Sequence, residues 1–333
     1  MSLNLNSNVN RRAARRLGAA AGLAVVGAAA AGAVVAAGRR WRAADDPCAG
    51  YALDLDGATP LKVERPDGAV LDGVVVGPES GHTVVLSHCW TGTRATWEPV
   101  AARLVARGCR VVLYDQRGHG ASTMGTGALT VDHLGDDLAA VLEAVDAHDA
   151  VLAGHSMGGM ALQALAVGRP DVVAERVKAM VLAGTAGFGV AAGPLSAPVR
   201  FVTGDRRVER LMAGRLGPVL SRGAVGRHPR HAHLVATRDA WMSLPTDVRR
   251  QFLIALQAMD FRAGLAGVAV PTTVVVGSRD LLTPPRLARG IANAVPGARL
   301  VEVPGAGHML PYEEPDLLAE IILAAATKEG DPS

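Results

Sequence analysis

Between a short apolar run, 150–153, and a helix-compatible run, 159–167, stands the pentapeptide Gly154-His155-Ser156-Met157-Gly158. It reads G-x-S-x-G. A strand that turns straight into a helix brings two backbones close together, and a Cβ at Gly154 or Gly158 would obstruct that approach. Such a turn lifts the serine hydroxyl above the end of the sheet. The pattern therefore asks for strand, tight turn and helix in succession, the unit from which parallel sheets are built. Taken alone, the same five residues also fit a Gly-rich loop with an incidental serine.

The chain repeats that unit. Apolar runs ending in turn residues occur at 82–87, 110–114, 150–153, 179–183, 272–276 and 299–303. Continuous runs of this length suit strands buried on both faces. Helical patterns lie at 97–107, 131–147, 159–167, 285–294 and 315–326. The spacing predicts an α/β fold, a doubly wound and mostly parallel sheet. Ahead of it, 61–76 carries a Pro66-Asp67-Gly68 turn between two runs, an antiparallel hairpin at the sheet's start. The alternation lapses from about Thr185 to Val270, a stretch rich in Arg, Ala and Leu with helical pieces near 208–216 and 247–259. We read 186–270 as a helical cap inserted over the C-terminal edge of the sheet, and 51–185 with 271–333 as the core that carries it. A separate helical domain is the other reading; the return of strand–helix alternation after Val270 favours insertion.

The first 50 residues differ in character. Leu17 to Gly38 is a run of 22 uncharged residues, long enough to span a hydrocarbon layer of about 30 Å. Ala and Gly dominate it, so its hydrophobicity is marginal. Arg11, Arg12, Arg15 and Arg16 precede it; Arg39, Arg40 and Arg42 follow it, with Trp41 at the boundary. We read 1–16 as a basic tail, 17–38 as a single-pass transmembrane anchor and 39–50 as a linker. A slight excess of arginine before the span leans toward an inside N-terminus and an outside remainder. A cleaved export signal ending at small residues such as Ala31-Gly32-Ala33, which would leave the mature chain secreted, fits the same composition, as does an unstructured Ala-rich leader. The net charge of +3 and pI near 9.0 come from this segment. Seven of the 34 basic residues lie in 1–44 with no acid, and beyond them acids outnumber bases. No basic globular face is implied, and so no nucleic-acid partner. The cysteines, Cys48, Cys89 and Cys109, show no metal-ligand spacing.

In an open parallel sheet, ligands bind beyond the carboxyl ends of the strands. The run 272–276 ends in Gly277-Ser278-Arg279-Asp280, and 299–303 ends in Pro304-Gly305-Ala306-Gly307-His308. With Ser156 this sets a serine, an acid and a histidine, in that order, each directly after a strand at one edge. A serine attacks when a base takes its proton, and the base needs a carboxylate to fix its tautomer and stabilise its charge. Singly, Asp280 is a turn residue and His308 a loop histidine; together with Ser156 they fit acid, base and nucleophile.

Four motifs in this order resemble those of the α/β-hydrolase superfamily over about Leu61 to Ala326. Besides the serine turn, 115–122 (Asp115-Gln-Arg-Gly-His-Gly-Ala-Ser122) is similar to the family's D-x-R-G-x-G-x-S loop. Gly277 to Pro284 resembles its G-x-x-D-x-x-x-P acid turn, and Gly305-Ala-Gly-His308 its histidine loop. The resemblance implies that Ser156 is the nucleophile, Asp280 the acid and His308 the base. It also implies an oxyanion hole of two backbone N–H groups, one from Met157 and, by alignment of His88-Cys89-Trp90 with the usual His-Gly-x, one from Trp90. Cys89 stands where the family has glycine. Neither cofactor nor metal is implied. The expected activity is hydrolysis of a carboxylic ester, of esterase or acylglycerol-lipase type, through an acyl-enzyme. The same residues admit thioester, lactone or carbon–carbon cleavage and cofactor-free perhydrolysis. A membrane-tethered ligand-binding receptor of the same fold is the non-enzymatic alternative. The expected partners are a small lipophilic ester and, through 17–38, a membrane.

Other residues have structural expectations. Asp115 is expected to brace its loop through Arg117 and local backbone, and Asp136-Asp137 to lie on a solvated helix face. His155 is read as structural, and Cys89 as too poor a nucleophile to displace Ser156. His228, His231 and His233 cluster in the cap without the acid or cysteine that would complete a metal site. Met124, Trp241, Met242 and Met259 fit either an apolar acyl pocket or core packing.

Overall fold

The apolar runs pair side by side because strands buried on both faces have only each other to satisfy their backbone groups. In the structure, a computed structural model that describes residues 53–189 and 206–327, they form one sheet. Its strands are β1 (Thr59–Glu64), β2 (Val70–Val76), β3 (Thr83–Ser87), β4 (Arg110–Tyr114), β5 (Ala150–His155), β6 (Val177–Ala183), β7 (Thr272–Gly277) and β8 (Arg299–Val303). The eight-stranded order is β1-β2-β4-β3-β5-β6-β7-β8. β1 and β2 form the expected antiparallel hairpin, β2 runs antiparallel to β4, and β3 to β8 are mutually parallel.

The helices are α1 (Glu98–Ala106), α2 (Val131–Ala144), α3 (Met157–Gly168), α4 (Pro170–Arg176), α5 (Arg206–Ala213), α6 (Gly217–Leu220), α7 (His231–Ser243), α8 (Thr246–Ala258), α9 (Pro285–Ala294), α10 (Leu310–Glu313) and α11 (Pro315–Thr327). Alternate strand residues serve opposite faces. Val85, Leu152, Met180, Leu182, Val274 and Val276 pack with α2, α3 and α9; Val84, Leu86, Val111, Val151, Val181 and Val275 pack with α1 and α11. Proline in the first turn of α1, α4, α9 and α11 supplies a preset φ where no N–H is needed.

Helices α5 to α8 fall between β6 and β7, where the strand–helix alternation lapses. Of these, α7 was not legible: its polar, β-branched and small residues show no apolar stripe, and it buries only His233 and Leu234. The expected tail, anchor and linker of 1–50 and the cap stretch 190–205 lie outside the described residues. Among the described residues no helix is long and apolar enough to cross a membrane.

Two expectations about charge are corrected. Asp137 is not on a solvated face. It is buried on α2 and takes two of the three guanidinium nitrogens of Arg117, Nε to Oδ2 and Nη2 to Oδ1, each at 2.6 Å, with Arg65 Nε at 3.0 Å. Arg117 spends its remaining arm on Asp67 at 2.6 Å, so it does not serve Asp115. Asp115 braces its loop through backbone, accepting from Arg94 N at 2.7 Å and Ala121 N at 3.0 Å. A helix position predicts solvation only if no neighbouring element brings a cation to it, and here the 115–122 loop does. Breaking a buried pair strands the remaining charge. Arg117→Ala should therefore lower unfolding free energy by about 3 kcal/mol in urea denaturation; a change within the scatter of surface substitutions would show the network to be incidental.

Candidate active site

Ser156 follows β5 directly, in a conformation few side chains adopt, with φ 53° and ψ −113°. Such strain persists only where the surroundings over-determine it. Here Ser156 N donates to Ala183 O at 2.9 Å, and Ser156 O accepts from Met160 N at 3.1 Å and Thr185 Oγ1 at 2.7 Å. A Cβ at Gly158 would lie 2.0 Å from Ser87 O, and one at Gly154 would lie 2.5 Å from Gly158 C. The two glycines thus let the start of α3 press against β3 and β5.

The other two residues of the expected trio follow β7 and β8. His308 Nδ1 donates to Asp280 Oδ2 at 2.8 Å. Asp280 Oδ1 accepts from Leu282 N at 2.9 Å and Thr283 N at 2.8 Å, and Oδ2 accepts from Thr283 Oγ1 at 2.7 Å. Burial pushes the Asp280 carboxyl up, but the His308 imidazole and the Thr283 bonds outweigh it and hold the group below its usual range. An ionised Asp280 keeps the proton on Nδ1 and leaves Nε2 as the basic nitrogen. The elbow is tied to this pair through its neighbour: His155 Nε2 donates to His308 O at 2.7 Å, and their rings lie 4.9 Å apart. His155 is fully buried in making this tie. Gly184, φ 53°, lies at the junction, where a Cβ would come within 3.4 Å of Asp280 Oδ2 and 3.3 Å of His308 O. Among the hydrogen bonds of the described residues, none joins the Ser156 and His308 side chains. Catalytic bonds of this kind commonly close only when substrate is bound.

Met157 is the first residue of α3, where helix geometry leaves N–H groups without internal partners. Trp90 lies in the loop after β3, beside Thr91, whose φ is 63°. Three histidines brace the neighbourhood. His88 Nδ1 donates to Cys89 O at 2.8 Å, and its Nε2 accepts from Gln116 N at 2.9 Å. His119 Nε2 accepts from Thr91 N at 3.3 Å while Nδ1 donates to Arg117 O at 3.0 Å. The middle residues of the 115–122 motif therefore hold the loop that carries Trp90. The sequence showed the motif but not that partnership. Cys89 is buried, and that burial pushes its thiol up to about 12, so it has negligible thiolate at neutral pH.

The helices between β6 and β7 reach the same loop. The ring of Trp90 meets that of Trp241 from α7 edge to face at 5.5 Å. The Arg249 guanidinium of α8 lies 4.9 Å from the Trp241 ring centroid, donates to Trp241 O at 2.6 Å and pairs with Glu209 at 2.6 Å. Trp241 thus packs at the site, while Met259 is core and Met242 is exposed. In the cap histidine cluster, His233 is buried and stacks on Tyr312 at 6.0 Å, whereas His228 and His231 are exposed. Among the described residues no group of three His, Cys, Asp or Glu could hold a metal ion.

Burial lowers His88 to about 4 and His119 and His155 to about 3, with a nearby histidine adding to the effect for the last two. An unfolded histidine takes its proton near 6.5. Between those values the unfolded chain binds more protons, so stability falls as pH falls. Urea denaturation should show this loss setting in below about pH 6.5, by up to about 1.4 kcal/mol per pH unit for each histidine. His119→Gln should make the slope shallower; stability flat from pH 7 to 4 would show that these rings are not held neutral.

The sequence profile described as "Alpha/beta hydrolase family" matches residues 84–321. RutD of Azorhizobium caulinodans, a protein named for carbamate hydrolysis, is 28% identical over 250 residues, covering 73% of this chain and 91% of that protein. The bifunctional esterase/perhydrolase DCH of Acinetobacter calcoaceticus is 25% identical over 260 residues, 74% of this chain and 92% of its own. Among solved structures, the enol-lactonase of Burkholderia xenovorans LB400 superposes with a TM-score of 0.66 at 26% identity, over 78% of this chain and 97% of that one. The profile takes in the serine turn, the acid turn and the histidine loop on a sheet of the order described above, and the chain belongs to the alpha/beta hydrolase family.

Proposed function

We propose that the chain is a serine hydrolase that cleaves a carboxylic ester. The observation that carries this reading is the buried Asp280–His308 bond, 2.8 Å long, set behind a serine held in a strained turn. Ser156 attacks the ester carbonyl as His308 Nε2 takes its proton. Asp280 stabilises the imidazolium that forms. The oxyanion is held by the N–H groups of Met157 and Trp90. His308 protonates the departing alcohol, then activates the water that releases the acid. The related proteins named above act, by their names, on carbamate, ester and enol-lactone, which share a carbonyl joined to a heteroatom. That shared group supports carbonyl hydrolysis. The ester is our choice within it, and lactone cleavage and perhydrolysis are the second reading, favoured by the same names.

The uncharged run 17–38 supports a further part of the proposal, a lipophilic substrate met at a membrane, with the catalytic unit outside. Full-length protein should then sediment with membranes and a chain lacking 1–44 should not; equal partition of the two would remove the tether.

Ser156→Ala should reduce aryl-ester turnover by about 10⁶-fold and abolish fluorophosphonate labelling. Asp280→Asn should cost about 10⁴ in kcat by fixing the wrong tautomer. An active Ser156→Ala enzyme would end the assignment; ligand-induced thermal stabilisation of the unaltered chain without turnover of any ester would point to the receptor reading.

A further inference from the structure

The loop that carries His308 is bound along its length to a cap segment distant in sequence. His308 N and Met309 N donate to Ala224 O at 3.0 and 3.2 Å, and Arg227 N donates to Gly305 O at 2.7 Å. Between these bonds, Gly226 and Gly307 meet backbone to backbone. A Cβ at Gly226 would lie 2.2 Å from Gly305 O and 2.4 Å from Gly307 N, and one at Gly307 would lie 2.3 Å from Gly226 N. No side chain fits in this seam, and one side chain closes it from the edge. Glu313 Oε2 accepts from Gly226 N at 2.7 Å and from Gly307 N at 3.0 Å, with Oε1 at 3.2 Å from the latter.

A carboxylate here is costly, since its burial disfavours charge. The backbone N–H groups of Gly226, Gly307 and Met309 and the nearby His308 imidazole offset part of that cost. What Glu313 adds is a joint between the histidine loop and the cap.

We propose that Glu313 is a positioning residue for His308: by gripping Gly226 and Gly307 together, it sets the imidazole against Ser156, so that the base is in place only while the cap is seated. The proposal rests on the triad reading above. Its consequence is that cap and base form one unit.

The test uses the full chain and an aryl ester, with kcat referred to the number of serines that fluorophosphonate labels at completion. Glu313→Ala should lower kcat per labelled serine on the order of 100-fold, the cost of a small displacement of a catalytic group, with KM little changed. Glu313→Gln should recover most of this, because the amide oxygen can accept the same two N–H groups. Gly226→Ala, which parts the seam from the cap side with Glu313 intact, should reproduce the kcat loss. A Glu313→Ala enzyme with unaltered kcat per labelled serine but a lower melting temperature would make Glu313 merely structural and overturn the proposal. So would Glu313→Gln as impaired as Glu313→Ala, or Gly226→Ala with unaltered kcat. Should Glu313→Ala not fold, the Gln and Gly226 variants decide. Ser156→Ala, run alongside, reports on the triad itself: activity there removes the triad whatever Glu313 does, and its loss leaves the Glu313 variants as the deciding measurement.

Discussion

The close approach of two main chains at Gly158 and Ser87 governs where this molecule keeps its chemistry. Because nothing larger than hydrogen fits between them, α3 can start directly at the end of β5, and Ser156 is forced into a left-handed turn above the sheet. The same crowding fixes the amide of Met157 beside the serine. Everything else at the site is arranged around this immovable corner. Asp280 and His308 come from the loops after β7 and β8, beyond β6, and the loop after β3 comes from the opposite side. Rigid placement of this kind is what a reaction that gains or loses orders of magnitude with small displacements requires.

Polar groups, not apolar ones, fix the loops around that corner. His88, His119 and His155 each donate to a carbonyl oxygen, and the first two also accept from a backbone N–H. A neutral imidazole is suited to this, since it offers one donor and one acceptor in a rigid ring. The Arg117–Asp137 pair anchors the 115–122 loop to α2, so the brace behind Trp90 is itself tethered to the core. Unlike hydrophobic contacts, such arrangements are directional, and they specify loop conformation where packing alone would leave choices.

How much of this could be read in advance varies with the physics. Strands β4 and β8 and helix α9 begin and end where the residue pattern placed them: β4 is a continuous apolar run buried on both faces, and a first-turn proline marks α9, whereas β8 lies at the sheet's edge and buries only Val303. The chain order of Ser156, Asp280 and His308 was equally legible, since each follows a strand. Partnerships between distant segments were not. Asp136 and Asp137 are neighbours on one helix, yet only the second meets guanidinium groups with its carboxylate. Glu313 and Glu314 are adjacent and alike in type, and only the fold shows which one faces Gly226 and Gly307. Helix α7 escaped notice because it meets the protein with His233, Leu234 and Trp241 instead of a regular apolar stripe.

Cys89 has a consequence for how such a protein endures its surroundings. Peroxides and alkylating agents attack sulfur as the thiolate, and burial leaves almost none of that species at this position. A thiol at this position, where the pattern of the resembled family has glycine, thus introduces bulk while remaining protonated. A cysteine-directed reagent would find almost no reactive thiolate at this buried position.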